Sequence, residues 1–129
     1  MRNPPRPRAR DRGQVAIEYL GFLPILLIVG LAGLQLGLVA YAAQQAGTAA
    51  RAAARADTVD VPDGEERPEA EAVGRAAVSG WIARRSDIDV GGGVATVTVQ
   101  IPQVLPFWSF DPIVKTATMP MPQQDEEGP

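Results

Sequence analysis

Glu18 is the only charged side chain between Arg12 and Arg51. It stands at the edge of a long apolar run. An ionised carboxylate near a bilayer core costs up to ~2.5–3.5 kcal/mol even on lenient insertion scales, so such a group usually has a partner. Capping a helix start is worth only ~0.3–1 kcal/mol to an acid. It also leaves unexplained why Gly13 stands five positions earlier, at the end of a leader carrying Arg2, Arg6, Arg8, Arg10 and Arg12. Other chemistry is sparse. There is no Cys and no His, which removes disulfides, thiol nucleophiles, Cys/His metal sites and imidazole acid–base work. Asp57, Asp60, Asp63, Glu65 and Glu66 are crowded, but they lack the D-x-D-x-D-G spacing of a calcium loop and read as a solvated connection. No nucleophilic triad or P-loop pattern is present. The expectation is a protein with no catalytic residue, no cofactor and no metal, which works by assembly or binding.

The elements that hold Glu18 follow from charge and hydropathy. Residues 1–56 carry seven Arg against Asp11 and Glu18, a balance of +5, whereas residues 57–129 carry five Lys/Arg against thirteen acids, a balance of −8. So acidic a distal half excludes a nucleic-acid binder, which needs basic surface for phosphates. Leu20–Ala43 is a run of aliphatic, small and aromatic residues broken only by Pro24 and Gln35. At 1.5 Å per residue it is about 36 Å of helix, enough to cross a ~30 Å hydrocarbon core with some tilt. Ala40-Tyr41-Ala42 has the form of a signal-peptidase site, but the apolar run exceeds the ~7–15 residues of a signal peptide. The Arg bias toward residues 1–13 places that end in the cytoplasm and the distal half outside.

The junction Arg12-Gly13-Gln14-Val15-Ala16-Ile17-Glu18-Tyr19 resembles the processing site of type IV pilin-like precursors. By that resemblance a prepilin peptidase cuts between Gly13 and Gln14 and leaves Glu18 as the fifth residue of the mature chain. The new α-amino group, largely cationic at neutral pH, would then pair with Glu18 of a neighbouring subunit. Within that superfamily, Gly13, Ala16, Glu18, Tyr19, Pro24 and the Gly33–Gly37 region are similar to the TadE-like proteins of tight-adherence (Tad) pilus systems. About seventy residues follow the helix, which favours a TadE-like minor pilin over the short major pilins. Gln35 departs from the family pattern, in which an acid stands two residues before the Gly. The resemblance implies three kinds of partner: a prepilin peptidase, the membrane assembly platform with its ATPase, and other pilins.

Gly30, Gly33, Gly37, Ala40, Gln44 and Gly47 form one small or polar stripe that includes a GxxxG, a face along which membrane helices pack closely. Pro24 deletes one helix hydrogen bond. Residues 44–56, rich in Ala, continue the helix out of the bilayer, with Arg51 and Arg55 on one solvated face.

Beyond the helix the fold class is α+β. Residues 57–68 are an acidic linker. Residues 69–120 are a small domain in which one helix, Glu69–Arg85, packs on a three-stranded antiparallel sheet. Val73, Ala77 and Trp81 make the helix's apolar face, with Trp81 as core anchor. Gly91-Gly92-Gly93 is a turn, Val94–Ile101 alternates in a strand, and Ile113–Met119 is the last strand. The intervening loop holds Phe107, Trp108 and Phe110. It either covers the sheet core or presents a docking patch to another subunit. Residues 121–129 are a polar acidic tail.

The expected protein is therefore a single-pass membrane protein. Residues 1–13 are a cleavable leader and residues 14–56 are the transmembrane helix with its extension. Processing at Gly13 and Gln14 and assembly through Glu18, Tyr19, Pro24, Gly33 and Gly37 would make it a non-enzymatic pilus component. The alternative is a permanently anchored cell-surface binding module that keeps its leader.

Overall fold

The computed structural model describes residues 11–122. The Arg-rich residues 1–10 and tail residues 123–129, with the expectations placed on them, lie outside the described residues. Helix α1 runs unbroken from Asp11 to Thr58, straight through Pro24. Its length comes from the Leu- and Ala-rich composition, and it ends where Thr58 Oγ1 donates to the Arg55 carbonyl (3.1 Å), ahead of Pro62. Two short helices follow, α2 (Ala70–Ala76) and α3 (Gly80–Ala83), then strands β1 (Ser86–Gly91), β2 (Val94–Val99) and β3 (Ile113–Thr118). The strands form one antiparallel sheet in the order β1-β2-β3. The expected α+β class, with a long apolar helix, a short helical region and a three-stranded sheet, is what the chain adopts.

The sheet's main partner is α1 itself. Residues 13–30 of α1 are exposed on every side, but farther along Ala42, Ala46, Ala49, Ala50, Ala53 and Ala54 are buried. Their spacing repeats a helical face, and the small side chains let the sheet lie close to the helix backbone. Ile88, Ala95, Val97 and Val99 face them, with Ile82 fully buried alongside. On β2 the alternation expected from the sequence holds: Ala95, Val97 and Val99 point inward, while Thr96 pairs with Thr116 on the outer face through their hydroxyls (3.2 Å).

The expected single helix over Glu69–Arg85 is instead two, broken at Ala77–Ser79. The break has a cause on α1. Gln45 Oε1 accepts the Ser79 amide (3.1 Å), and Tyr41 donates its hydroxyl to Ser79 Oγ (3.2 Å). A residue tied by its backbone N–H to another element cannot give that N–H to a helical ladder. The break leaves Ala77 exposed and makes Ile82, not Trp81, the fully buried side chain. Trp81 is half-buried and stacks on Tyr41, with ring centroids 6.0 Å apart. Gly74 lets α2 approach: a Cβ there would stand 3.0 Å from Ala53 Cβ and 3.2 Å from the Ala49 carbonyl oxygen.

Two tethers set the direction of the sheet along α1. Gly92 and Gly93 form a two-residue turn with φ of 61° and 76°, a left-handed pair that suits a tight hairpin. The Gly93 amide donates to Asp57 Oδ2 (2.8 Å) at the far end of α1. At the other end, the chain beyond β2 meets Gln35. Strand β2 therefore runs back along α1 from Asp57 toward Gln35.

Candidate functional site

The residues singled out by their chemistry lie on three separate parts of α1 and the β2–β3 loop. Gly13 and Gln14 are exposed near the amino-terminal end of the described part of α1. Nothing lies within 4 Å of a Cβ built on Gly13. Glu18 and Tyr19 follow on the bare segment and line a shallow concavity with Val15, Phe22, Leu23 and Leu26. Pro24 is exposed just beyond. No other part of the described chain covers Glu18, so its strip of helix presents one carboxylate among apolar side chains.

Farther along, Gly33 and Gly37 sit on the side of α1 turned away from the sheet, and an added Cβ at either meets nothing within 4 Å. Gly30, also open, lies along the same stripe, and Ala40 and Gln44 continue it exposed. α1 thus carries two small-residue faces. One, Ala42–Ala54, is filled by the chain's own sheet. The other, which includes the GxxxG, is unoccupied by any of the described residues.

Gln35 lies on the opposite side from Gly33 and Gly37, and the sequence reading assigned it no role. It is 1% exposed, and both ends of its amide are used. Nε2 donates to the Pro102 carbonyl (3.1 Å), and Oε1 accepts the Val104 amide (2.8 Å). A carboxylate at this position could still accept from Val104, but it has no donor for Pro102 and would set two oxygens against each other. The amide is therefore what the loop's backbone requires, which gives a physical reason for Gln at this position. The signal available in the sequence was the single amide inside an otherwise apolar run.

The loop held by Gln35 is ordered by its own bonds. Leu105 is buried, and its carbonyl accepts both the Trp108 amide (3.3 Å) and Gln103 Nε2 (2.9 Å). Trp108 and Phe110 stack with centroids 5.8 Å apart and planes 6° from parallel. Leu105 covers the core end, whereas Phe107 and Trp108 remain 73% and 56% exposed. The two expectations for this loop therefore divide between residues: Leu105 serves the core and the rings project outward.

Seventeen residues of helix separate Glu18 from Gln35, about 26 Å at 1.5 Å per residue, so the amino-terminal acid and the aromatic loop form no common pocket. Among the described residues no group of three or more Asp/Glu stands close enough to hold a metal. Asp57, placed in the acidic linker by its sequence, instead lies in the last turn of α1 and anchors the hairpin. The described chain has one helix long and apolar enough to cross a membrane, and its apolar window is almost wholly exposed. Such a helix fits a single-pass membrane protein.

Residues 13–55 match the family model of TadE-like proteins, a structural, pilin-like family associated with Tad pili. The match lies wholly on α1 and includes Gly13, Glu18, Tyr19, Pro24, Gly33 and Gly37, so the resemblance read from those residues is borne out. No curated protein and no solved structure matches the chain.

Proposed function

We propose that the chain is a TadE-like minor pilin, made as a precursor and cut between Gly13 and Gln14, that contributes to the assembly, initiation or tip of a Tad-type pilus. Its role is structural and not catalytic. The leader end lies in the cytoplasm and the sheet domain outside, and the partners are a prepilin peptidase, the assembly platform and other pilins.

One observation carries this reading: a TadE-like match centred on a helix that is bare over residues 13–30 and carries a single acid, Glu18. Bare apolar helix needs lipid or other helices around it. Gly13 to Gln35 spans about 33 Å, close to a ~30 Å hydrocarbon core. If that core ends at Gln35, where the domain begins, it starts near Val15, and Glu18 lies inside it. This membrane register is nearer the amino terminus than the Leu20–Ala43 expected from composition, because Tyr41 and Ala42 belong to the domain interface. The deeper placement strengthens the case for a cationic partner. Released at Gln14, the α-amino group of a neighbouring subunit supplies one, and the open Gly33–Gly37 face lets helices approach.

The buried state of Ala42 also argues against a cleaved signal peptide, since cutting after it would take the amino-terminal part of α1, with Gln35, away from the domain. The reading is tested by co-expressing the chain with a cognate prepilin peptidase and measuring the intact mass of the membrane-extracted protein. The expected product begins at Gln14, and Gly13→Leu abolishes it. Retention of Met1 in cells that assemble pili would instead identify a permanently anchored module.

A further inference from the structure

We infer that the β2–β3 loop is a membrane-surface anchor: Phe107 and Trp108 seat at the boundary between lipid headgroups and acyl chains on the domain's side of the bilayer. The inference rests on α1 crossing the membrane, but not on the pilus role.

The loop's position carries the argument. Its backbone is fastened to α1 at Gln35 through Pro102 and Val104. That is the point where the bare apolar helix meets the domain: Leu34 and Leu36, on either side of Gln35, are still more than half exposed, while Leu31 and Ala32 are the first side chains with partial cover. The apolar surface of α1 is therefore continuous in level with the loop. The opposite end of the sheet, at Gly93, is fixed to Asp57, twenty-two residues or about 33 Å farther along the helix. Only one end of the domain can meet the bilayer, and it is the end that displays exposed aromatic rings.

The chemistry suits that level. Trp and other amphipathic aromatics prefer the membrane–water interface, where a ring can be half in hydrocarbon and its N–H still reach water or headgroups. Between Pro102 and Pro112 the loop has no Lys or Arg, so its attraction is to the apolar boundary and not to anionic headgroups. Buried Leu105, its doubly bonded carbonyl and the Trp108–Phe110 stack hold the rings outward before any partner arrives, which lowers the ordering cost of insertion. A loop so placed fixes how deeply α1 sits, and hence the depth of Glu18.

The test uses the full chain in phosphatidylcholine vesicles, with two single-tryptophan variants. Trp81→Phe leaves Trp108 as reporter and keeps a ring against Tyr41; Trp108→Phe leaves Trp81. Emission is recorded with lipids brominated near the top of the acyl chains and, separately, with aqueous iodide. Flotation of the vesicles reports whether the chain is inserted. The expected result is that Trp108 loses most of its emission to the brominated lipid and little to iodide, while Trp81 responds weakly to the lipid. A chain that floats but whose Trp108 is quenched by iodide and not by brominated lipid overturns the anchor and leaves the rings free for a protein partner. A chain that does not float overturns the membrane span and the anchor together. Lipid quenching that persists when Met1 is retained supports the anchor even if the pilus reading fails.

Discussion

Two residues of α1 do opposite things with their polarity. Gln35 is polar and satisfied: both amide atoms bond to the loop backbone. Gln35→Leu leaves the Val104 amide and the Pro102 carbonyl without partners, and an unsatisfied buried polar group costs about 1–3 kcal/mol. The expected outcome is a loop that opens, read as faster proteolysis between Pro102 and Pro112 in the detergent-solubilised chain. Unchanged cleavage would mean the tether contributes little. Glu18 is polar and has no partner within the described chain. For Glu18→Leu the expectation is normal insertion, since the costly charge is gone, and normal cleavage at Gly13, but poor recovery with other pilus components after crosslinking. Equal recovery of mutant and wild type would exclude the proposed pairing with Gln14 of a neighbour. The spacing of Gly13 and Glu18 was legible because a charge in an apolar run demands explanation. The role of Gln35 was not, because an amide's partners lie sixty-seven and sixty-nine residues away and only the fold brings them there.

At the level of elements, the strands were the most legible part. Alternation over Ala95–Val99 and the Gly pair at 92–93 specify a hairpin locally, and β2 buries the residues that alternation selects. Helical segments were harder. Residues 44–56 continue the helix with Arg51 and Arg55 exposed, as their sequence suggests, but Ala's high helix propensity says little about burial, and on the other side Ala46, Ala49, Ala50 and Ala53 are fully buried. Periodicity over 69–85 suggested one helix, but the hydrogen bond from Ser79 to Gln45 interrupts it. Gly74 tests how closely α2 packs. Gly→Ala in a helix gains up to ~1 kcal/mol of propensity. Here the new Cβ meets Ala53 Cβ, Ile88 Cδ1 and the Ala49 carbonyl at 3.0–3.2 Å. Overpacking of this kind costs typically ~1–3 kcal/mol, and the helix carbonyl cannot move aside cheaply. Gly74→Ala is therefore expected to lower the melting midpoint by a few degrees, followed by Trp81 emission in detergent. A rise would show that α2 shifts freely and propensity wins.

Over the described residues the molecule is a helix with a sheet folded back along its carboxyl-terminal half, so the bare apolar segment and the sheet domain share one continuous element. This arrangement decides which fragments can fold. A fragment of residues 57–129 keeps the sheet, α2 and α3, but discards the Ala42–Ala54 face that covers Ile88, Val97 and Val99. Fully burying such a side chain is worth roughly 1.5–3 kcal/mol, so uncovering three of them costs on the order of 5 kcal/mol, comparable with the entire stability of a small domain. The Gln45 and Tyr41 bonds to Ser79 and the Gln35 bonds to the loop are lost as well. Asp57 would remain, but at a frayed terminus. A fragment of residues 33–129 retains the buried alanines and all four anchoring side chains while omitting the bare stretch before them. The expected result is a cooperative thermal transition by circular dichroism for 33–129 and none for 57–129. Within 33–129, Trp108→Ala should leave that transition nearly in place, because the ring projects outward, whereas loss of the transition would make the aromatic loop part of the core. Cooperative melting of 57–129 with the same midpoint as 33–129 would mean that the sheet carries its own core and that α1 merely lies against it.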